Sequence, residues 1–555
     1  MCLSHQISGV RAMNIHNRYD QLKVRHLFLI IITASLLSCN QGPIESPSVS
    51  FEKDLEALKE YFHIPGMAAI ITQKGKIIYE NYSGYADLKT NRLVDSTTVF
   101  PINSITKTYA AVLFMQLVEA GELDLNESIN HYLHHSHLSD AIKIKHVLSH
   151  TSEATPGSFY NYTGYRYHLL AEVLEQVSGK PYDVLMQEKI LNPLGLSDTF
   201  LPFSHASLDS LTKNRIAKPY TYSGKIEDGR YEAYKSAATG LVATARDIAK
   251  FDNALNSGKL ISDKSKREMF SPFPTSNGNS PYGYGIFSQA FLGKQLIWGY
   301  GQGEYSSSLL LKVPEDEFTL ILQANNNQMS DPARLLNGDI TYSLFALSFL
   351  KHFVFDLPQK LDWSHLNNQE ELAIAITQKK YGPFYRQELL ANAIAAVFTG
   401  FTYSDSVEIS RSKDLAGFAL ENFPDYKNYG DQPLMFLLSN LSIHANFNEV
   451  DKIVENLGER LLEENPLDPY TNLYLGNYYN HKNKKAQALE YYKRIADVDN
   501  YNPRAWFWVV ALDLVGEYYK QENPELAKRY FQKIVDIGWN LRGLLDKAKN
   551  ELKDL

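Results

Sequence analysis

Cysteine is almost absent from this 555-residue chain, which holds only Cys2 and Cys39. So few thiols exclude a disulfide framework and any zinc finger built on cysteine pairs. Glycine (31) and proline (22) are also sparse, far below the ~25–30% of low-complexity chains. Positive charge never collects into a long run. The 55 Lys and Arg face 63 Asp and Glu, a net charge of −8, and this disfavours a nucleic-acid partner. Apolar runs long enough to cross a bilayer, about 20 residues, are missing too. What is present is a 44% hydrophobic composition, ample for packed cores. At ~100–200 residues per domain, the length points to two or more domains.

The two cysteines differ in context. Lys23, Arg25 and His26 form a positive segment, and Leu27–Leu37 follows as an apolar stretch of eleven residues ending at Leu36-Leu37-Ser38-Cys39. That stretch is too short for an ordinary membrane span and right for the apolar core of an export signal. The closing Leu-x-Ser-Cys resembles the lipobox of bacterial lipoproteins, which implies cleavage before Cys39 and attachment of a lipid to it. A signal over residues 1–39, a Ser- and Pro-containing tether over 40–50 and a lipid-anchored location in a bacterial cell envelope, on its periplasmic or surface side, are therefore expected. Met13 is a second candidate start.

Ala68–Thr72 and Lys76–Tyr79 read as a β-hairpin, and Ser307–Val313 with Phe318–Gln323 as a second strand pair. Between them, Ser104–Glu119 reads as a helix, apolar on every face from Tyr109 to Met115 and therefore buried. Gly121 fits its C-terminal stop. Strands at both ends of a helix-rich region predict an α/β layered domain over residues 51–355. From 356 to 555 strand-like runs nearly vanish. There, Gly476 precedes Ala488, Tyr492 and Ile495, and Gly516 precedes Ala527, Phe531 and Ile534, a spacing near 40 residues that resembles tetratricopeptide-type hairpins. Stable stacks need about three units, so an earlier hairpin is expected around Pro433–Asn465. A generic helical bundle is the alternative.

No GxxxxGK[ST] loop, GxSxG elbow or HExxH helix occurs. Ser104-Ile105-Thr106-Lys107 remains. Serine and lysine three apart share a helix face, so the amine can reach the hydroxyl and activate it as a nucleophile. Ser-x-x-Lys also occurs at Ser50, Ser210, Ser348 and Ser410. Only Ser104 stands where strand and loop give way to a buried helix, whose N-terminus offers free N–H groups. His131, His134, His135 and His137 cluster in Asn130–His137. Without an HExxH glutamate they read as surface histidines, and no metal or other cofactor is expected.

Phe100–Tyr109 and Leu117–Leu125, followed in order by Ile144–Thr151, Pro156–Phe159, Tyr167–Leu170, Asn192–Thr199, Thr239–Asp247 and Trp298–Asn325, resemble the serine β-lactamase-related family. The class C β-lactamase and penicillin-binding-protein branch is the nearest. The resemblance covers about residues 51–355 and implies an antiparallel sheet flanked by helices, followed here by the all-α hairpin domain. It also implies that Ser104 is acylated, that Lys107 shuttles its proton and that Tyr162 is the general base. Tyr162-Thr163-Gly164 keeps the tyrosine of the second motif and lacks its asparagine. Trp298–Gln302 resembles a Trp-His-Tyr-Gly form of the third motif with Gly299 in place of histidine. Tyr300 and Gly301 would line the site, and the Gln302 N–H would join that of Ser104 in an oxyanion hole.

With the cationic or imidazole position lost, a carboxylate beside the scissile bond lacks its partner, and weak β-lactam turnover is expected. A serine hydrolase acting on a small-molecule or peptide ester or amide is the leading expectation. A catalytically silent lipoprotein, binding a protein partner through its helical repeats, is the alternative.

Overall fold

The computed structural model describes residues 46–133, 138–202, 214–231, 235–276, 278–330, 338–357, 361–363, 366–422, 432–498, 501 and 505–555. Residues from Phe51 onward form one compact unit. Cys39 and the segment expected to be an export signal lie outside the described residues, as do His134, His135 and His137. His131 closes a 3₁₀ turn, Ile129–His131. Among the described residues, no helix is long and apolar enough to cross a membrane.

The described residues open with helix α1 (Pro47–Tyr61) and the hairpin β1 (Gly66–Gln73) and β2 (Lys76–Asp87), continued by β3 (Arg92–Leu93). Helix α2 (Thr106–Glu119) follows, and later α3 (Ala245–Asn256). Four strands then complete the sheet: β4 (Phe287–Phe291), β5 (Lys294–Gln302), β6 (Ser307–Val313) and β7 (Phe318–Ala324). Their order is β4-β5-β6-β7-β1-β2-β3, with every pairing antiparallel. The last strand thus closes on the first, Ile70 opposite Ile321, which places the two sequence-predicted strand pairs side by side.

Strand residues alternate between the two faces, and each face builds its own core. Ala68, Ile70, Ile297, Leu310 and Ile321 pack with α2 and α3. Met67, Ala69, Ile71, Trp298, Leu309, Leu311, Leu320 and Leu322 pack on the opposite side, in a core that continues through Phe384 to Ile534. Helix α2 lies inside the first layer, which explains its uniform apolarity: from Thr106 to Leu117 only Gln116 is not buried.

After Ala324 the described residues contain helices and no strand. Among them are the antiparallel hairpins α4 (Gly382–Tyr403) with α5 (Ser406–Asn422), α6 (Gln432–His444) with α7 (Asp451–Glu464), α8 (Pro469–His481) with α9 (Lys485–Ala496), and α10 (Trp506–Glu522) with α11 (Pro524–Ile537). Helix α12 (Leu544–Asp554) ends the chain. The expected earlier hairpin is α6–α7. Gly476 and Gly516 sit at the crossings the spacing suggested. A Cβ on Gly476 would come within 2.3 Å of the Tyr492 ring, and one on Gly516 within 2.8 Å of Phe531.

Candidate active site

The nucleophile segment is pinned from both sides. Phe100–Pro101 pairs with Val242–Ala243, and the Ile102 N–H donates to the Leu241 carbonyl at 3.0 Å. Asn103 turns the chain with φ +45°, a left-handed conformation that asparagine adopts more readily than most residues. Its Nδ2 donates to Ser306 Oγ at 2.9 Å and to the Ser306 carbonyl at 3.2 Å. Ser104 stands in the resulting 3₁₀ turn, Asn103–Ile105, which runs directly into α2. The α-helix therefore begins at Thr106, after the serine. N–H groups in a first turn have no intrahelical acceptor, so that of Ser104 is available to an oxyanion.

Lys107 falls one turn later and is 1% exposed. Its Nζ donates to Ser104 Oγ at 2.8 Å and to the Ala238 carbonyl at 2.9 Å. Burial, opposed by no carboxylate among the described residues, lowers its pKa from 10.5 to about 7. The Ala238 carbonyl is held in turn: its N–H donates to Ser236 Oγ at 2.9 Å, and that hydroxyl bonds His168 Nδ1 at 2.6 Å. A backbone carbonyl has no sequence signature, which is why Ala238 could not be read from the chain.

Tyr162 lies on the loop leading into the short helix Gly164–His168. Burial raises its hydroxyl pKa, and a hydrogen bond with Ser104 acts against that rise. Lys107 Nζ sits over its ring, 5.0 Å from the centroid. Ser104 and Lys107, one helical turn apart, and Tyr162, far along the sequence, thus converge on one hydroxyl. Their electrostatics divide the work. An amine with a pKa near 7 is partly neutral at neutral pH, whereas a phenol raised above its ordinary value is protonated. Lys107 is thus the readier proton acceptor of the two in this arrangement, with the Tyr162 hydroxyl beside it in its protonated form.

Strand β5 borders this group. Pairing with β4 stops at Phe287 opposite Trp298, so Gly299–Gln302 has no strand partner on that edge among the described residues. Gly301 allows the close approach: a Cβ there would lie 2.2 Å from the Ile102 carbonyl and 2.3 Å from Ser308 Oγ. A Cβ on Gly299 meets only Thr108 Oγ1, at 3.7 Å, so the space for a larger third-motif residue is open. Gln302 ends the strand, partly exposed. Tyr300 is 3% exposed. Its ring centroid is 6.2 Å from that of Tyr162, and it backs that side chain from the core.

Known proteins resemble the chain over much of this architecture. PbpX of Bacillus subtilis (strain 168), named among the penicillin-binding proteins, is 29% identical over 252 residues, 40% of this chain. The chain covers 61% of that protein's length. Penicillin-binding protein 4* of the same organism is 23% identical over 442 residues, 71% of this chain and 92% of its own. A D-aminopeptidase of Gluconobacter oxydans (strain 621H) is 20% identical over 411 residues, 67% of this chain and 76% of its own. Residues 51–341, just over half of the chain, match the family model described as Beta-lactamase, and the chain belongs to that family.

Proposed function

We propose that the chain is a serine hydrolase that works through an acyl-enzyme on Ser104. The observation that carries this reading is the buried Lys107 amine, with a pKa of about 7, placed 2.8 Å from Ser104 Oγ. Neutral Lys107 takes the hydroxyl proton as Ser104 Oγ attacks the substrate carbonyl carbon. Negative charge on the carbonyl oxygen is met by the N–H groups of Ser104 and Gln302. Tyr162 gives its proton to the leaving group and recovers one from the Lys107 ammonium. Water then attacks the acyl ester, with the same groups moving protons in reverse.

The substrate is an ester or amide that needs no carboxylate beside the scissile bond. Gly299 supplies no charge to such a group, and losing one charge-assisted contact costs ~1.5–3 kcal/mol, or ~10–150-fold. Slow β-lactam turnover follows. The D-aminopeptidase name of one relative supports amides alongside esters.

A fluorophosphonate probe and a fluorescent penicillin, with p-nitrophenyl esters as substrates, test the reading. Labelling of wild type and its loss in Ser104→Ala are expected. If neither probe labels Ser104 and esters are hydrolysed no faster than by Ser104→Ala, the chain is a binding protein on an inherited fold. We further propose that Cys39 carries a lipid anchor in the bacterial envelope, supported by the signal of residues 23–39. Palmitate labelling that survives Cys39→Ala would contradict this.

A further inference from the structure

We infer that His150 is a positioning residue for Tyr162, acting as a neutral acceptor that fixes the tyrosine's backbone and ring. The inference rests on the acyl-transfer reading above. His150 is 1% exposed and holds the residues on both sides of Tyr162. The Asn161 N–H donates to the His150 carbonyl at 2.8 Å, and the Thr163 N–H donates to His150 Nδ1 at 3.2 Å. Its imidazole packs against the Tyr162 ring with centroids 4.1 Å apart. Tyr282 closes the other side at 4.8 Å and Tyr167 at 5.1 Å. A single residue therefore sets the Tyr162 peptide at two points and its ring at a third.

The chemistry of the cradle fixes the tautomer. Nδ1 must carry a lone pair to accept from Thr163, so the ring proton sits on Nε2. Nε2 is buried and meets no hydrogen-bond partner among the described residues. Burial first, and the nearby Lys107 second, hold the imidazole below its ordinary pKa. A protonated ring would turn a second N–H toward the Thr163 N–H and break the clamp. The backbone of His150 is itself in the left-handed region, φ +55°, which brings its carbonyl and ring to the same segment. Histidine is among the non-glycine residues that adopt this conformation more readily than most.

Three variants test this on p-nitrophenyl butyrate, each checked for a native near-UV spectrum and melting transition. His150→Phe keeps an aromatic ring and removes the acceptor; kcat should fall about 10–100-fold with KM within threefold, since small misplacements of a reacting group cost that much. His150→Asn places an amide oxygen near the Nδ1 position and tolerates the left-handed backbone; it should recover activity to within about fivefold of wild type. Combining His150→Phe with Tyr162→Phe should add nothing to the Tyr162→Phe loss, because both changes remove the same function. If His150→Phe does not fold, His150→Leu serves as the acceptor-free variant. The inference is overturned if the acceptor-free variant keeps kcat within threefold while Tyr162→Phe is impaired. Losses that multiply in the double variant also overturn it. A fully active Tyr162→Phe would instead reject the role given to the tyrosine, whatever His150 does.

Discussion

Lys107 carries the pH dependence of this molecule. In the proposed mechanism the neutral amine is the working form, and burial lowers its pKa to about 7, so kcat/KM for esters should rise with pH through 7 and fall away below it. A profile flat from pH 5.5 to 8.5 would assign the base elsewhere. Stability follows the same sign. The folded pKa lies below the 10.5 of the free side chain, so between about 7 and 10.5 the unfolded chain binds more protons and stability should rise with pH. Lys107→Gln removes that pH-dependent term and should lower ester kcat about 10²–10⁴-fold, the usual range for a positioned base.

At the scale of elements, two glycines of β5 make opposite predictions. Gly301→Ala forces a Cβ onto the Ile102 carbonyl and Ser308 Oγ, at 2.2 and 2.3 Å. Neither neighbour can retreat without moving the nucleophile turn, so melting temperature and Ser104 labelling should fall together. Gly299→Ala meets nothing closer than 3.7 Å and should be neutral or stabilising by up to ~1 kcal/mol, because alanine restricts the unfolded chain. In the helical hairpins, Gly476→Ala drives a Cβ into the Tyr492 ring, an overpacking that costs about 1–3 kcal/mol; an unchanged melting temperature would show that α8 and α9 separate freely. Much of this was legible in the chain. Gly476 with Tyr492 and Gly516 with Phe531 stand out because glycine recurs where helices cross, and the two strand pairs because alternation and turn residues coincide. The packing of Tyr300 on Tyr162 was not legible, because residues so far apart in sequence share no local pattern.

For the whole molecule, the helical half is part of one folded body. Lys351, ahead of the hairpins, pairs with Glu388 of α4 at 2.5 Å with both side chains buried. The Trp363 indole N–H donates to the same carboxylate at 3.0 Å. Burial works against the Lys351 charge, but Glu388 outweighs it and its pKa is raised. Glu388→Ala strands a buried cation and should destabilise the protein by ~3–5 kcal/mol. Phe384 packs against Phe291 of β4 and against Phe355. A chain ending at Leu357 strips Phe384 from Phe291 and Phe355 and exposes the part of that core the helical half covers, so it should melt well below the full chain; an unchanged melting temperature would show that residues 51–357 suffice.

The sequence by itself determined that Ser104 and Lys107 stand side by side, because three-residue spacing at a helix start is local geometry. It also determined the buried helix, the hairpin strands and the family, each written in short-range patterns. Only the tertiary structure decided that Lys107 and Tyr162 are buried and that their pKa values move apart, since a pKa depends on burial and on neighbours far away in sequence. The Ala238 carbonyl and the His150 clamp were settled there too. One is a backbone group and the other a histidine whose role arises from the chain folding back on it, and neither has a pattern that a linear reading can detect.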